Sequence, residues 1–240
     1  MQMLQIKTPR VAVAVLSLAG ATMASPAFAA PPGPGPHFEV KPWTFVGKAG
    51  DCGPLAGTNI VASKWENGFG LPIGPGKKKP GAALMLSKDG PTADCSSAGA
   101  SIKGVGPKKN SPGIALSELG FDVRNAGHCG AGAPRFNVTA TDGFHFMGGC
   151  GNGTVTPDTP QAGWYRVRID PSNPAQAFPP LTPGATVVSI DIVFDEGVDT
   201  GPDFSGFVML DNIDVNGTLI GSKDGGRHGH DDEDDQGDDD

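Results

Sequence analysis

The sequence predicts an all-β fold: an antiparallel β-sandwich, jelly-roll in type. In one segment after another, apolar residues recur at every second position, the period of a strand with one buried and one solvated face. The 240 residues include 37 Gly and 23 Pro, which supply many turns and interrupt long helices. No segment shows a convincing amphipathic helical stripe. The Cys-Trp-Cys spacing of immunoglobulin-like sandwiches is absent, which favours the jelly-roll arrangement.

The strands can be read in order. Residues 38–46 (FEVKPWTFV) form a first strand interrupted at Pro42. Residues 81–87 and 100–105 are short apolar runs. In residues 116–124, Leu119, Phe121 and Val123 alternate with Gly120, Asp122 and Arg124. Residues 135–139 and 144–147 make a hairpin around Asp142-Gly143, with Phe136 and Val138 inward and Phe144 and Phe146 alternating with a solvent-facing His145. Residues 164–170 place Tyr165, Val167 and Ile169 opposite Trp164, Arg166 and Arg168. Residues 187–195 direct Val188, Ile190, Ile192 and Phe194 inward. Residues 204–215 close the domain. Eight or nine strands are expected, joined by Pro-rich connections at 156–161 and 170–184.

Flanking this body, residues 1–29 read as an export signal: Lys7 and Arg10, the apolar run VAVAVLSLAGATMA, then Ala27-Phe28-Ala29. The apolar run is too short to span a bilayer, which takes about 20 residues. The expected location is therefore outside the cytoplasm: secreted, periplasmic or at the cell surface. Residues 30–37 (APPGPGPH) form a Pro/Gly linker, 38–220 the sandwich, and 221–240 a disordered acidic tail. The tail from residue 224 carries nine acids and one Arg, whereas residues 30–223 carry seventeen acids and fifteen bases. The acidity belongs to the tail, and nothing suggests nucleic acid as a partner.

The four cysteines form an even set in an exported chain, the pattern of disulfides. Cys129 and Cys150 flank the 135–147 hairpin, whose antiparallel pairing returns its outer ends to bonding distance. Cys52 and Cys95 pair by elimination. A loop of that length closed by a disulfide is worth about 3 kcal/mol.

Four carboxylates in nine residues, Asp195, Glu196, Asp199 and Asp203, lie between the last two strong strands and are candidate ligands for Ca2+, which takes several oxygens from a flexible loop. On the presumed solvent faces, Asp122, Arg124, Asn137, His145, Trp164, Arg166 and Arg168 combine a flat aromatic with planar polar groups. That is the chemistry of a sugar-binding surface, where a ring stacks on the sugar and polar groups bond its hydroxyls. Trp43 and Trp65 are further aromatic candidates. Lys77-Lys78-Lys79 suits contact with an anionic cell-surface polymer.

The closing segment FVMLDNIDVNG (residues 207–217) resembles the last strand of secreted jelly-roll modules of the carbohydrate-binding type. The resemblance covers about a dozen residues. It implies a sandwich and extracellular glycan binding, and it implies a structural Ca2+ held by Asp211 with Glu39 near the first strand.

No G-x-S-x-G and no H-E-x-x-H occurs, so no nucleophile or metalloprotease site can be named. The sequence thus points to an exported, non-catalytic binding module whose partner is an extracellular glycan or cell-surface polymer. Two other readings stay open: an adhesive protein that binds another protein, and a hydrolase with a carboxylate pair. N-terminal sequencing of the exported protein should read Ala30 first; a product that retains residues 1–29 would refute the signal.

Overall fold

The computed structural model describes residues 37–48, 60–72, 79–109, 111–156, 161–201 and 206–221, and among them thirteen strands pack as two antiparallel sheets. One sheet has six strands in the order β1 (Glu39–Phe45), β4 (Ser97–Lys103), β11 (Val187–Phe194), β6 (Arg135–Ala140), β7 (Gly143–Gly148) and β10 (Ala177–Phe178). The other has seven: β2 (Ile60–Pro72), β3 (Pro80–Asp89), β12 (Phe207–Val215), β5 (Leu119–Arg124), β9 (Trp164–Ile169) and β8 (Thr154–Thr156), with β13 (Thr218–Ile220) paired to β12. The expected two-sheet sandwich is what forms. No helix among the described residues is long and apolar enough to cross a membrane.

The interior is built from the alternation read in the sequence. Leu84, Leu86, Phe121, Val123, Val167, Ile169 and Leu210 face inward from the seven-stranded sheet. Ile102, Phe136, Val138, Ile190, Ile192 and Phe194 meet them from the other. Phe121 stacks on Phe136 across the two layers, ring centres 5.3 Å apart. Each such side chain contributes about 1.5–3 kcal/mol by leaving water. Pro42 is tolerated inside β1 because β1 is an edge strand, where a missing N–H breaks no ladder on the open side.

Three expectations are corrected. Val188 does not face inward: a bulge between Val187 and Ser189 shifts the strand's phase, so Val187 enters the core and Val188 is 46% exposed. The hairpin turn lies one residue earlier than read. Ala140 pairs with Gly143, leaving Thr141-Asp142 as a two-residue loop, and this register sets His145 opposite core-facing Val138. His145 is therefore buried, while Phe144 and Phe146 turn outward. Finally, β2 was not anticipated. Its sequence, IVASKWENGFGLP, lacks clean alternation because it is an edge strand whose last residues leave the regular ladder after Asn67.

The Cys129–Cys150 disulfide forms as expected, with Cα atoms 4.9 Å apart. Cys95 is also disulfide-bonded, while Cys52 lies outside the described residues.

Phase along β11 decides which side chains hold the sandwich together. Ile192→Ala should cost about 2–5 kcal/mol of unfolding free energy in urea. Val188→Ser should stay within about 0.5 kcal/mol of wild type. Equal costs would mean the bulge is misplaced.

Candidate functional site

The residues expected to bind glycan separate onto the two outer faces, except His145, which is buried in the interior. On the outer face of the seven-stranded sheet, β9 pairs with β5 so that Trp164 faces Arg124, Arg166 faces Asp122 and Arg168 faces Gly120. The Arg166 Nε and Nη2 donate to Asp122 Oδ1 and Oδ2 at 2.8 and 3.0 Å, and the Asn212 amide adds a third bond to Oδ2 at 2.7 Å. Arg168 pairs with Asp214 at 3.1 Å and Glu118 at 3.5 Å. Trp164 is only 7% exposed and packs with Leu71, Ala83 and Met209.

The end of β2 closes this face. Leu71 N–H donates to Asp211 Oδ2 at 2.7 Å, and Phe69 receives the Arg124 guanidinium over its ring at 5.5 Å. Gly70 has no room for a Cβ against Ala82 carbonyl and Asp211. The Trp164-Arg166-Arg168 constellation is thus a covered ion network and not a stacking platform. Periodicity correctly placed the three on the outer face, but it carries no information about what lies above that face.

Burial pushes the Asp211 carboxyl up to about 6, against the two backbone N–H bonds from Leu71 and Asn212 that favour its charged form; nearby Asp122 adds to the rise. Burial likewise raises Asp214 and lowers Arg168. Asp122 and Asp211 sit directly opposite each other in the β5–β12 ladder.

The other expected site residues are held by protein partners. The His145 ring meets Pro179 carbonyl through Nδ1 and Asp142 Oδ1 through Nε2, both at 2.9 Å. It is a satisfied core histidine. Asp142 also accepts from the Thr182 N–H and hydroxyl, and these bonds hold its carboxyl down at about 2.

Asp195 takes both Nη atoms of Arg135, at 2.5 and 2.7 Å, and Asp199 accepts from the Thr92 N–H and hydroxyl at 2.8 and 2.6 Å. Glu39 pairs with Lys41 at 3.5 Å on the six-stranded sheet, whereas Asp211 belongs to the other, so the two do not come together. Asp203 lies outside the described residues. Among the described residues, no three His, Cys, Asp or Glu side chains converge as an ion site.

A protein cation instead ties this end of the sandwich. Lys88 is fully buried, and its Nζ donates to the carbonyls of Thr92 (3.3 Å), Asp195 (2.9 Å) and Asp94. Burial lowers its pKa, while Asp94, Asp195 and Asp199 oppose that shift. Backbone oxygens that a loop would offer to Ca2+ are taken here by an ammonium. The residues present do not fit the ion at Asp195 and Asp199.

The outer face of the six-stranded sheet is the one that the end of β2 does not cover. Directly paired residues share a face, and one row crosses all six strands: Lys41, Ser101, Asp191, Asn137, Phe146 and Phe178. At about 4.8 Å per strand, it spans about 24 Å. The adjacent row begins with Trp43, whose indole lies against Gly99; a Cβ there would collide with the ring.

Ser101 Oγ donates to Asp191 Oδ1 at 2.6 Å, and Arg135 Nε donates to Asn137 Oδ1 at 3.0 Å. Arg135 in turn lies over the Phe146 ring at 4.7 Å and is clamped by Asp195. These bonds fix the orientation of Asp191 and Asn137, and their second polar atoms, Oδ2 and Nδ2, meet no protein partner among the described residues. A depression of about 150 Å³, lined by Ser101, Lys103, Gly106, Val188, Ser189 and Asp191, opens at one end of β4 and β11.

Of the expected set, Asn137 stands on this surface, with Trp43 as the aromatic. Asp191 was legible as a polar residue on the outward phase of its strand. Phe146 was not, because its outward position depends on the hairpin register.

No family model matches the sequence, and no curated protein matches it significantly. Among solved structures, a β-1,2-glucanase from Parabacteroides distasonis is similar over 73% of this chain at 12% identity with a TM-score of 0.42. The chain spans 22% of that enzyme's length. The family 11 carbohydrate-binding module of a cellulosomal cellulase of Clostridium thermocellum is similar over 76% of this chain and 88% of its own, at 16% identity and a TM-score of 0.38. Both likenesses are distant.

Asp211 has a pH signature. Its proton leaves more easily from the unfolded chain, near 4, than from the folded one, near 6. The extra stability is therefore present below pH 4 and lost as pH rises to about 6. Urea titrations should show wild type losing on the order of 3 kcal/mol relative to Asp211→Asn across that window. Parallel pH profiles would show that folding does not raise the Asp211 pKa.

Proposed function

We propose that this chain is an exported, non-catalytic β-sandwich that binds glycan across the outer face of its six-stranded sheet. The carrying observation is the row from Lys41 to Phe178 with Trp43 beside it: a face six strands wide with an aromatic ring at one end, aromatics at the other and oriented hydrogen-bonding groups between. A polysaccharide offers alternating apolar ring faces and hydroxyls along its length. Trp43 supplies the stacking surface, whose apolar area and quadrupole suit the C–H face of a sugar. Asp191 and Asn137 supply an acceptor and a donor at fixed positions, so little side-chain entropy is lost on binding.

The hydrolase reading is not favoured. The Asp122–Asp211 pair lies under the β2 end, and Asp122 is fully buried, so a glycosidic bond has no access to it. Purely apolar protein docking is also not favoured, because Ser101, Asp191 and Asn137 occupy the middle of the face.

A screen of the mature protein against immobilised neutral and acidic polysaccharides tests the reading. Trp43→Ala should weaken the strongest interaction by roughly 30-fold, the effect of losing an anchor worth about 2 kcal/mol. Trp164→Phe should leave it unchanged. Absence of binding to every polysaccharide would refute the proposal, as would binding indifferent to Trp43.

A further inference from the structure

We infer that the glycan taken by this face is anionic, a polysaccharide bearing carboxylate, sulfate or phosphate groups; this rests on the six-stranded outer face being the glycan site. The depression at one end of β4 and β11 sits beside a concentration of lysines. Lys103 lines it, and the chain leaves its wall at Gly106 directly into Lys108 and Lys109. Lys41 stands next to Ser101 in the cross-strand row. All four are exposed.

Their charge is only partly met by the protein. Glu39 lies 3.5 Å from Lys41 and in register with Lys103, so it offsets one cation, and Asp191 at the depression offsets a second. Lys103, Lys108 and Lys109 make no ion pair with any described residue. Arg135 is not part of this surplus, because Asp195 neutralises it. Among the described residues a net positive end therefore remains on the proposed binding face, in a protein whose overall charge is −8.

Exposed lysine stems are flexible and reach an anion without a preformed cage, which suits regularly spaced charges on a polymer more than a single buried ligand. Asp191 and Asn137 then read hydroxyls of the sugar next to the charged one. Electrostatic attraction of this kind acts over roughly a Debye length and is screened by salt.

Affinity electrophoresis and a bead assay with polygalacturonate, dextran sulfate and neutral β-glucan provide the test, using the full mature protein. An anionic polymer should bind more tightly than the neutral one, and raising NaCl from 20 to 500 mM should weaken it about tenfold. Lys103→Gln, Lys108→Gln and Lys109→Gln combined should produce a loss of about tenfold, as three exposed ion pairs would, with the circular dichroism spectrum unchanged. Tight, salt-insensitive binding to the neutral β-glucan that Trp43→Ala abolishes would overturn the charge inference and leave the glycan face standing. Binding to none of the three polymers would overturn both. Anionic binding lost in the lysine variant but untouched by Trp43→Ala would overturn the glycan face, and with it this inference.

Discussion

One apolar layer shared by two sheets governs this molecule. Phe121 and Phe136 meet across it, and Ile190, Ile192, Leu84 and Leu210 fill the space around them. Side chains alternate with period two, so fixing which residues enter that layer fixes which face outward. The outer faces therefore follow from the core. Val187 replaces Val188 in the interior through a single bulge, and the same kind of phase choice at the Thr141-Asp142 loop sends Phe146 outward and His145 inward.

The two outer faces have opposite fates. On the seven-stranded sheet, the last residues of β2 fold over Trp164 and Met209, and the polar groups beneath bond to one another. Buried charges are tolerable there because each carboxylate has partners: Asp122 has Arg166 and Asn212, Asp214 has Arg168, and Asp211 has two backbone N–H groups. On the six-stranded sheet, Trp43, Asn137 and Asp191 have neighbours beside them that fix their orientation, and each remains half-buried. The first arrangement stabilises, and the second leaves hydrogen-bonding capacity available to a ligand.

At one end of the sandwich, Lys88 joins the loops that carry Asp94 and Asp195 by donating to their main-chain carbonyls. An internal ammonium supplies the positive charge there, with the carboxylates of Asp195 and Asp199 engaged by Arg135 and Thr92. The His128–Glu196 pair lies close by, with the His128 ring edge-on to Phe194. Charge pairing and core packing are continuous at this point.

By itself, the sequence determined the architecture. Period-two alternation in 119–124, 135–140 and 164–169 is a local property of the chain, and so is the hairpin that brings Cys129 to Cys150. It also placed Asn137 and Trp43 among the candidate binding residues. Tertiary structure decided which of the two polar faces the described residues cover. Trp164 and Trp43 look equally available along their own strands, and only a segment distant in sequence, the end of β2, covers one and not the other. Phase at the bulge and register at the turn were hidden for a related reason: each depends on pairing with another strand, and a one-residue shift leaves the local composition unchanged while reversing every side chain beyond it.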